Sequence, residues 1–209
     1  MTNDSVLLES RDGVARLTLN RPDKLNSFDN AMFARMIEVI ATVAGDRSVR
    51  AVFLTGAGRA FCAGQDISGG VPDGDYGPHL EKHWNRIALG IRQLEIPVVC
   101  AVNGVAAGAG ANLALCADFV VAAEEASFIQ AFINIGLVPD TGGTWNLPHL
   151  VGRARAAAML LLGDKVPAKE AAEWGMIHQA VPAAKLESTA WALAIRLATM
   201  PTLALGLTR

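Results

Sequence analysis

The sequence has no block of like charges. Its 18 lysines and arginines stand against 20 aspartates and glutamates, for a net charge of −2, with the signs interspersed. A nucleic-acid surface or a polybasic membrane anchor needs clustered cations, so neither is expected. No apolar run reaches the ~20 residues that cross a bilayer, because the longest candidates contain Asn103, Asn112 or Asp118. The N-terminus, MTNDSVLLESRDG, lacks the charged-then-apolar order of a secretory signal. Cysteine is scarce. Cys62, Cys100 and Cys116 have no metal spacing and leave one thiol over if two pair, so reduced cysteines in a cytoplasmic protein are expected. The histidines (His79, His83, His149, His178) are scattered. Only the first two share a helix-like spacing and no third ligand is near in sequence, so no metal site is expected. No GxxxxGK[ST] phosphate loop occurs.

What is present is apolar bulk. The 209 residues are 52% hydrophobic and 18% charged, with aromatics at only 6%. That composition is globular rather than disordered and suits one domain with a substantial core. Residues 14–20, VARLTLN, alternate and predict a half-buried strand, and RPDKLNS after them reads as a turn. Asp29 is placed to cap a helix on which Met32, Phe33, Met36, Ile37 and Ile40 share a face, ended by Gly45. A short buried strand, 50–55, runs into the glycine loop GAGRAFCAGQD. Residues 67–79, rich in Gly, Pro and Asp, read as mobile, ahead of a helix carrying Trp84, Ile87, Ala88 and Ile91. Pro97 opens another strand, which runs into a second glycine loop, NGVAAGAG, and the helix ANLALCA. Strands at 118–123 and 126–129, helices at 153–162 and from Pro167, the strand GMIHQAV and a helix over 183–200 complete the pattern. Strands alternate with helices and no composition break marks a linker. That predicts an α/β fold with a single core.

The glycine loops invite a nucleotide reading, which fails on spacing. After Gly56 and Gly58, Phe61 occupies the third glycine position of a dinucleotide fingerprint, which leaves an NAD enzyme as a weak alternative. A glycine loop that leads into a helix also lets backbone N–H groups approach and hold negative charge. Two such loops together can bind one developing oxyanion. A third feature, GLVPDTGGTW (136–145), sets Asp140 between a proline and paired glycines. As a helix cap its carboxylate would be stabilised by the helix end, whereas as a catalytic base it would be raised by burial among apolar neighbours.

RPDKLNS, FCAGQDI, AVNGVAAGAGANLALCAD and GLVPDTGGTWNLP, in that order and spacing, resemble the enoyl-CoA hydratase/isomerase (crotonase) superfamily across essentially the whole chain. Within it, FCAGQD, NGVAAGAG, IGLVPDTGGTW and EWGMIHQAV look most like the branch that isomerises ring-epoxidised phenylacetyl-CoA in aerobic phenylacetate degradation. The resemblance implies a spiral of repeated ββα units, with a core over about 1–182 and the start of a C-terminal helical part at 183–209, the remaining terminal helices of the family lying outside this sequence. It also implies trimers or dimers of trimers. The substrate would be a coenzyme A thioester, with no metal or redox cofactor. Ala63 and Ala109 would supply the oxyanion-hole N–H groups and Asp140 the acid/base. Lys24, Leu25, Gly64, Gln65, Asp66, Ile67, Gly110, Asn112, Phe132, Pro139 and Trp145 would contact substrate.

Two positions depart from the superfamily's hydratases. Where those carry water-activating glutamates, this sequence has Asn112 and Phe132, neither a base. Isomerisation is therefore expected over hydration. Hydration, attack by Asp140 on an aromatic acyl-CoA as in the family's dehalogenases, and a non-catalytic acyl-CoA-binding subunit are the alternatives. Asn112 either meets substrate or packs, and Asp66 reads better as a turn residue holding the oxyanion loop. Arg21 and Lys24 are candidates for CoA contacts. Tyr76, His79 and His83 lie in or beside the segment read as mobile and either line the acyl pocket or play surface roles, the latter preferred, and Cys62 reads as apolar packing.

Overall fold

The computed structural model describes residues 4–68 and 74–209. The chain opens with an antiparallel hairpin, β1 (Val6–Arg11) on β2 (Val14–Leu19). In β2 the alternation works as read, with Ala15, Leu17 and Leu19 turned into the core. The strand β1 escapes the sequence pattern because it is an edge strand that buries only Val6 fully. A 3-10 turn at Pro22–Lys24 then leads to α1 (Asn30–Gly45), whose first turn is capped by the Asp29 carboxylate, accepting from Met32 N–H at 2.8 Å.

Three strand–strand–helix units follow. In the first, β3 (Ala51–Gly56) and β4 (Ala60–Cys62) precede α2 (Gly77–Lys82) and α3 (Trp84–Gln93). In the second, β5 (Val98–Val102) and β6 (Val105–Ala107) precede α4 (Ala109–Leu115). In the third, β7 (Phe119–Ala123) and β8 (Ser127–Ile129) lead through a 3-10 turn at Ala131–Ile135 to α5 (Gly143–Leu162). Then come β9 (Lys165–Pro167), α6 (Ala168–Glu173), β10 (Gln179–Val181), α7 (Ala183–Ala198) and α8 (Thr202–Thr208). Of the segment read as mobile, residues 69–73 lie outside the described residues, while 77–79 are helical.

Each unit gives its first strand to one sheet and its second to another. The six-stranded sheet runs β1-β2-β3-β5-β7-β10, parallel from β2 onward, and the four-stranded sheet runs β4-β6-β8-β9. This is the expected spiral of ββα repeats. The interior of the parallel sheet shows in β5, where every residue of VVCAV is buried because both faces are covered. The helix α7 lies across β3, β5 and β7 on one of those faces. Among the described residues no single helix is long and apolar enough to cross a membrane.

The second sheet positions the site. The strands β4, β6 and β8 are adjacent and parallel, so the segments leaving their C-terminal ends emerge side by side. Two of these are the glycine loops and the third carries Phe132 and Asp140. Sequence patterning took β4 and β6 for loop because each is three residues long and flanked by glycine. The close fit of α4 against β4 depends on Gly110, where a Cβ would stand 2.3 Å from the Cys62 carbonyl oxygen. That oxygen is backbone and has nowhere to go. Gly110→Ala is therefore expected to destabilise the fold by about 2 kcal/mol or more through overpacking, read from the midpoint of urea unfolding.

Candidate active site

The three loops close around a cavity of about 190 Å³ whose wall includes Ala63, Gly64 and Gln65 from the first, Gly108 and Ala109 from the second, and Phe132 and Asp140 from the third. Cavities elsewhere in the described residues are larger, but among them only this one gathers helix-terminal N–H groups, a half-buried carboxylate and apolar walls. Those walls are Ile67, Phe132, Ile135 and Leu137.

Ala109 is the first residue of α4, so its N–H has no partner within the helix. The backbone of the first loop decides which N–H faces it. Ala63 N–H is already used, donating to the Leu25 carbonyl at 3.0 Å. The sequence assignment of Ala63 as an oxyanion donor is therefore corrected. In a regular strand the N–H of Gln65 would point the same way as that of Ala63. Gly64 at φ +86° breaks the alternation. Phe28 N–H then bonds Gly64 O at 2.8 Å, and Asp66 N–H bonds Phe28 O at 2.9 Å. Phe28 thus pairs with Gln65 as a parallel bridge, and in such a bridge the N–H of the middle residue points to the opposite edge. That edge is the start of α4, since a Cβ on Gly64 would lie 3.3 Å from Ala109 N. Among the described residues neither Gln65 N–H nor Ala109 N–H has an acceptor. The donor pair facing the cavity is Gln65 with Ala109.

Asp140 is not a helix cap. The helix α5 is capped by Gly142 in the left-handed region, without a side-chain bond, and Gly143 N–H takes the Asp140 main-chain carbonyl at 2.8 Å. The carboxylate is left facing the cavity. Burial pushes its pKa up to about 6, against the opposing pull of the Thr141 hydroxyl, which donates to Oδ1 at 2.8 Å, and of a backbone N–H. The desolvation argument wins over the helix-end argument because the helix starts beyond Asp140. Thr141 sits at φ 52°, a rare backbone for a β-branched residue, and is held there almost wholly buried. Strain of this kind persists where surrounding structure over-determines it.

Asn112 is one of those determinants. It is fully buried, donates through Nδ2 to the Asp140 carbonyl at 2.9 Å, and accepts from Gln130 Nε2 at 2.9 Å. Both ends of its amide are spent inside the protein, which corrects its reading as a substrate contact. It fixes the loop that carries Asp140. Asp66 is a turn residue as preferred. Its carboxylate accepts from Ser68 N–H at 3.1 Å and pairs with Arg21 at 3.1 Å, and the Ser68 bonds lead in holding its pKa below the ordinary value. Arg21 in turn pairs with Asp29 at 3.1 Å and bonds the Ser27 carbonyl, so its charge is spent locally.

Gly110 packs on Cys62 rather than lining the cavity. Leu25 backs the oxyanion loop through its carbonyl, and Pro139 lies outside the wall. Trp145, read as pocket wall, is instead 69% exposed, because the first turn of α5 points it outward onto His149, 4.3 Å between ring centroids. Lys24 is exposed on the 3-10 turn. The Cys62 thiol is pushed up to about 12 by burial and stays protonated, in keeping with packing.

One residue was missed and another underweighted. Asn26 staples the turn to β4 by bonds from Nδ2 to the carbonyls of Ala57, Ala60 and Phe61, at 2.9, 2.9 and 3.1 Å. Tyr76, for which a surface role was preferred to a place in the acyl pocket, lies in the cavity wall close enough for the Asp140 charge to act on it. Asn26 had a legible signal, a turn asparagine, whereas for Tyr76 the only signal was its place beside the Gly/Pro/Asp-rich segment.

A profile of the enoyl-CoA hydratase/isomerase family matches residues 9–208. The chain belongs to the enoyl-CoA hydratase/isomerase family. This family member is 49% identical to the 1,2-epoxyphenylacetyl-CoA isomerase of Escherichia coli K12, over 97% of this chain and 79% of that one. Its fold superposes on a crystal structure of enoyl-CoA hydratase from Mycobacterium smegmatis with a TM-score of 0.91 and 35% identity, covering 98% of this chain and 80% of the other. A monofunctional enoyl-CoA isomerase from the same organism gives 0.84 at 35% identity, over 98% and 90%. Relatives thus include both activities. The site of this enoyl-CoA hydratase/isomerase family member favours isomerase. The hydratase glutamate positions hold a buried Asn112, hydrogen-bonded at each end of its amide, and the wall residue Phe132, and among the described residues one carboxylate lines the cavity.

Proposed function

We propose that the protein is an acyl-CoA isomerase that shifts a double bond, or rearranges a ring epoxide as in phenylacetate degradation, through an enolate. The thioester oxygen sits between Gln65 N–H and Ala109 N–H, where it gains negative charge as a proton leaves the neighbouring carbon. Asp140 takes that proton and returns it at a second carbon. One carboxylate suffices for such a shuttle, provided its pKa is near working pH. The observation that carries this reading is that, among the described residues, one carboxylate lines an apolar cavity, its pKa raised to about 6, together with two unpartnered N–H groups.

No redox cofactor or metal enters the scheme, and Lys24, exposed on its turn, would meet the coenzyme A phosphates. The assembly is a homotrimer or dimer of trimers. Support for self-association comes from exposed apolar residues on and before α5, among them Val138 at 77% and Leu161 at 68%. A cytoplasmic location fits a coenzyme A thioester substrate.

Incubation with a 3-enoyl-CoA in heavy-oxygen water tests the reaction class. Migration of the double bond with no heavy oxygen in the acyl chain is the expected result. Heavy oxygen in the chain would show hydration, and binding without any turnover would show a non-catalytic acyl-CoA carrier.

A further inference from the structure

Resting on the isomerase reading, we propose that Tyr76 is a specificity residue whose phenol donates a hydrogen bond to a second oxygen, one carried by the acyl group itself as a ring epoxide, ether or hydroxyl. A hydrocarbon double-bond shift needs two N–H donors for the thioester oxygen and one base. Gln65, Ala109 and Asp140 already supply these, and the phenol has no task among them. The other walls are mainly apolar, and the Gln65 side-chain oxygen is engaged elsewhere. Among the described residues Tyr76 Oη has no hydrogen-bond partner. Tyr76 is only partly buried beside this cavity, so a ligand that displaces water from the phenol must replace that hydrogen bond, and an oxygen on the acyl group does so.

The ring is also held in place, as a recognition group must be. The Tyr76 carbonyl accepts from Leu80 N–H at 3.1 Å, which starts α2. Its ring stacks on His79, 4.8 Å between centroids at 20°. His79 Nε2 and Gln65 Oε1 lie 3.1 Å apart. An amide oxygen only accepts, so the histidine carries its proton on Nε2. Trp84 Nε1–H donates to the same Oε1 at 3.1 Å, and Trp84 is fully buried against Phe28 and Phe33. Tyr76 is thereby tied, through His79, to the residue whose own N–H faces the thioester oxygen. The phenol and the oxyanion hole share one frame, which sets the distance between the two substrate oxygens. Burial and then the Asp140 charge raise the phenol's pKa, keeping it a donor rather than a phenolate.

The test compares Tyr76→Phe with the wild type on two substrates, an unsubstituted 3-enoyl-CoA and a ring-epoxidised arylacetyl-CoA. The variant should keep kcat/KM on the hydrocarbon chain within about threefold and lose about 10- to 100-fold on the epoxide. Equal losses on both, or no loss on the epoxide, would overturn the proposal. So would a displaced acid limb of the pH profile on both substrates, which would mean that the phenol serves Asp140. Binding provides a second readout, independent of turnover. The wild type should hold ring-hydroxylated phenylacetyl-CoA more tightly than phenylacetyl-CoA, and Tyr76→Phe should erase the difference. If the wild type turns over neither substrate, the isomerase reading fails, and the binding pair alone decides the role of the phenol.

Discussion

Asp140→Asn is expected to lower kcat for double-bond migration by about 10²- to 10⁴-fold, the usual worth of a positioned general base, while acyl-CoA binding changes little. The amide keeps the size of the carboxylate and its Oδ1 can still accept from the Thr141 hydroxyl, so the loop has no reason to move. The same substitution should stabilise the protein at alkaline pH. The folded-state pKa, about 6, lies above the ordinary 3.8. The folded state therefore holds the proton more tightly, and ionisation destabilises it as pH rises through the window between those two values. Below the window the burial of a neutral acid costs little; above it the cost is fully present. Asparagine removes a cost on the order of 1–3 kcal/mol at pH 8, visible as a higher midpoint in urea. Catalysis runs the opposite way, because a base must be ionised, so wild-type kcat/KM should fall below about pH 6 and the variant's residual rate should lose that limb. Loss of binding together with loss of rate would show a structural rather than a catalytic aspartate.

The second large effect concerns the oxyanion donors. Ala109→Pro is expected to reduce kcat by about two to three orders of magnitude, the cost of one such donor. Proline at the first position of a helix is tolerated, because the N–H it removes is not part of the helix ladder. The substitution therefore takes away the N–H with little cost to α4, and its ring also intrudes where the thioester oxygen would sit. Far-UV circular dichroism and the thermal midpoint should stay near wild type while turnover of a 3-enoyl-CoA collapses. A near-normal rate would place the thioester oxygen elsewhere.

Much of this architecture was legible in the residues, for physical reasons. The helix α1 showed through an aspartate cap and apolar residues at helical spacing, and the buried strands through short apolar runs. Asp140 and Ala109 could be singled out because each sits beside glycines at a loop-to-helix junction. What could not be read is where the direction of a backbone group decides the chemistry. Ala63 and Gln65 are two residues apart, and only the positive φ of Gly64 together with pairing to Phe28 settles which N–H is free. Asn112 looked as able to meet substrate as to pack, because its partners, Gln130 and the Asp140 carbonyl, lie in a different unit of the spiral. Tyr76 follows a Gly/Pro/Asp-rich stretch with no periodicity, and only the folded chain brings it to a cavity it shares with Asp140. Trp145 erred in the other direction, since an aromatic beside a catalytic loop looks like a wall until the helix phase turns it outward.

The most direct test is the structure of the complex with an unreactive acyl-CoA. The thioester oxygen should lie about 2.7–3.1 Å from both Gln65 N and Ala109 N, with the Asp140 carboxylate over the carbons adjacent to and two bonds beyond the carbonyl. A thioester oxygen bound away from Gln65 N and Ala109 N, or an acyl chain directed away from Asp140, would contradict the account.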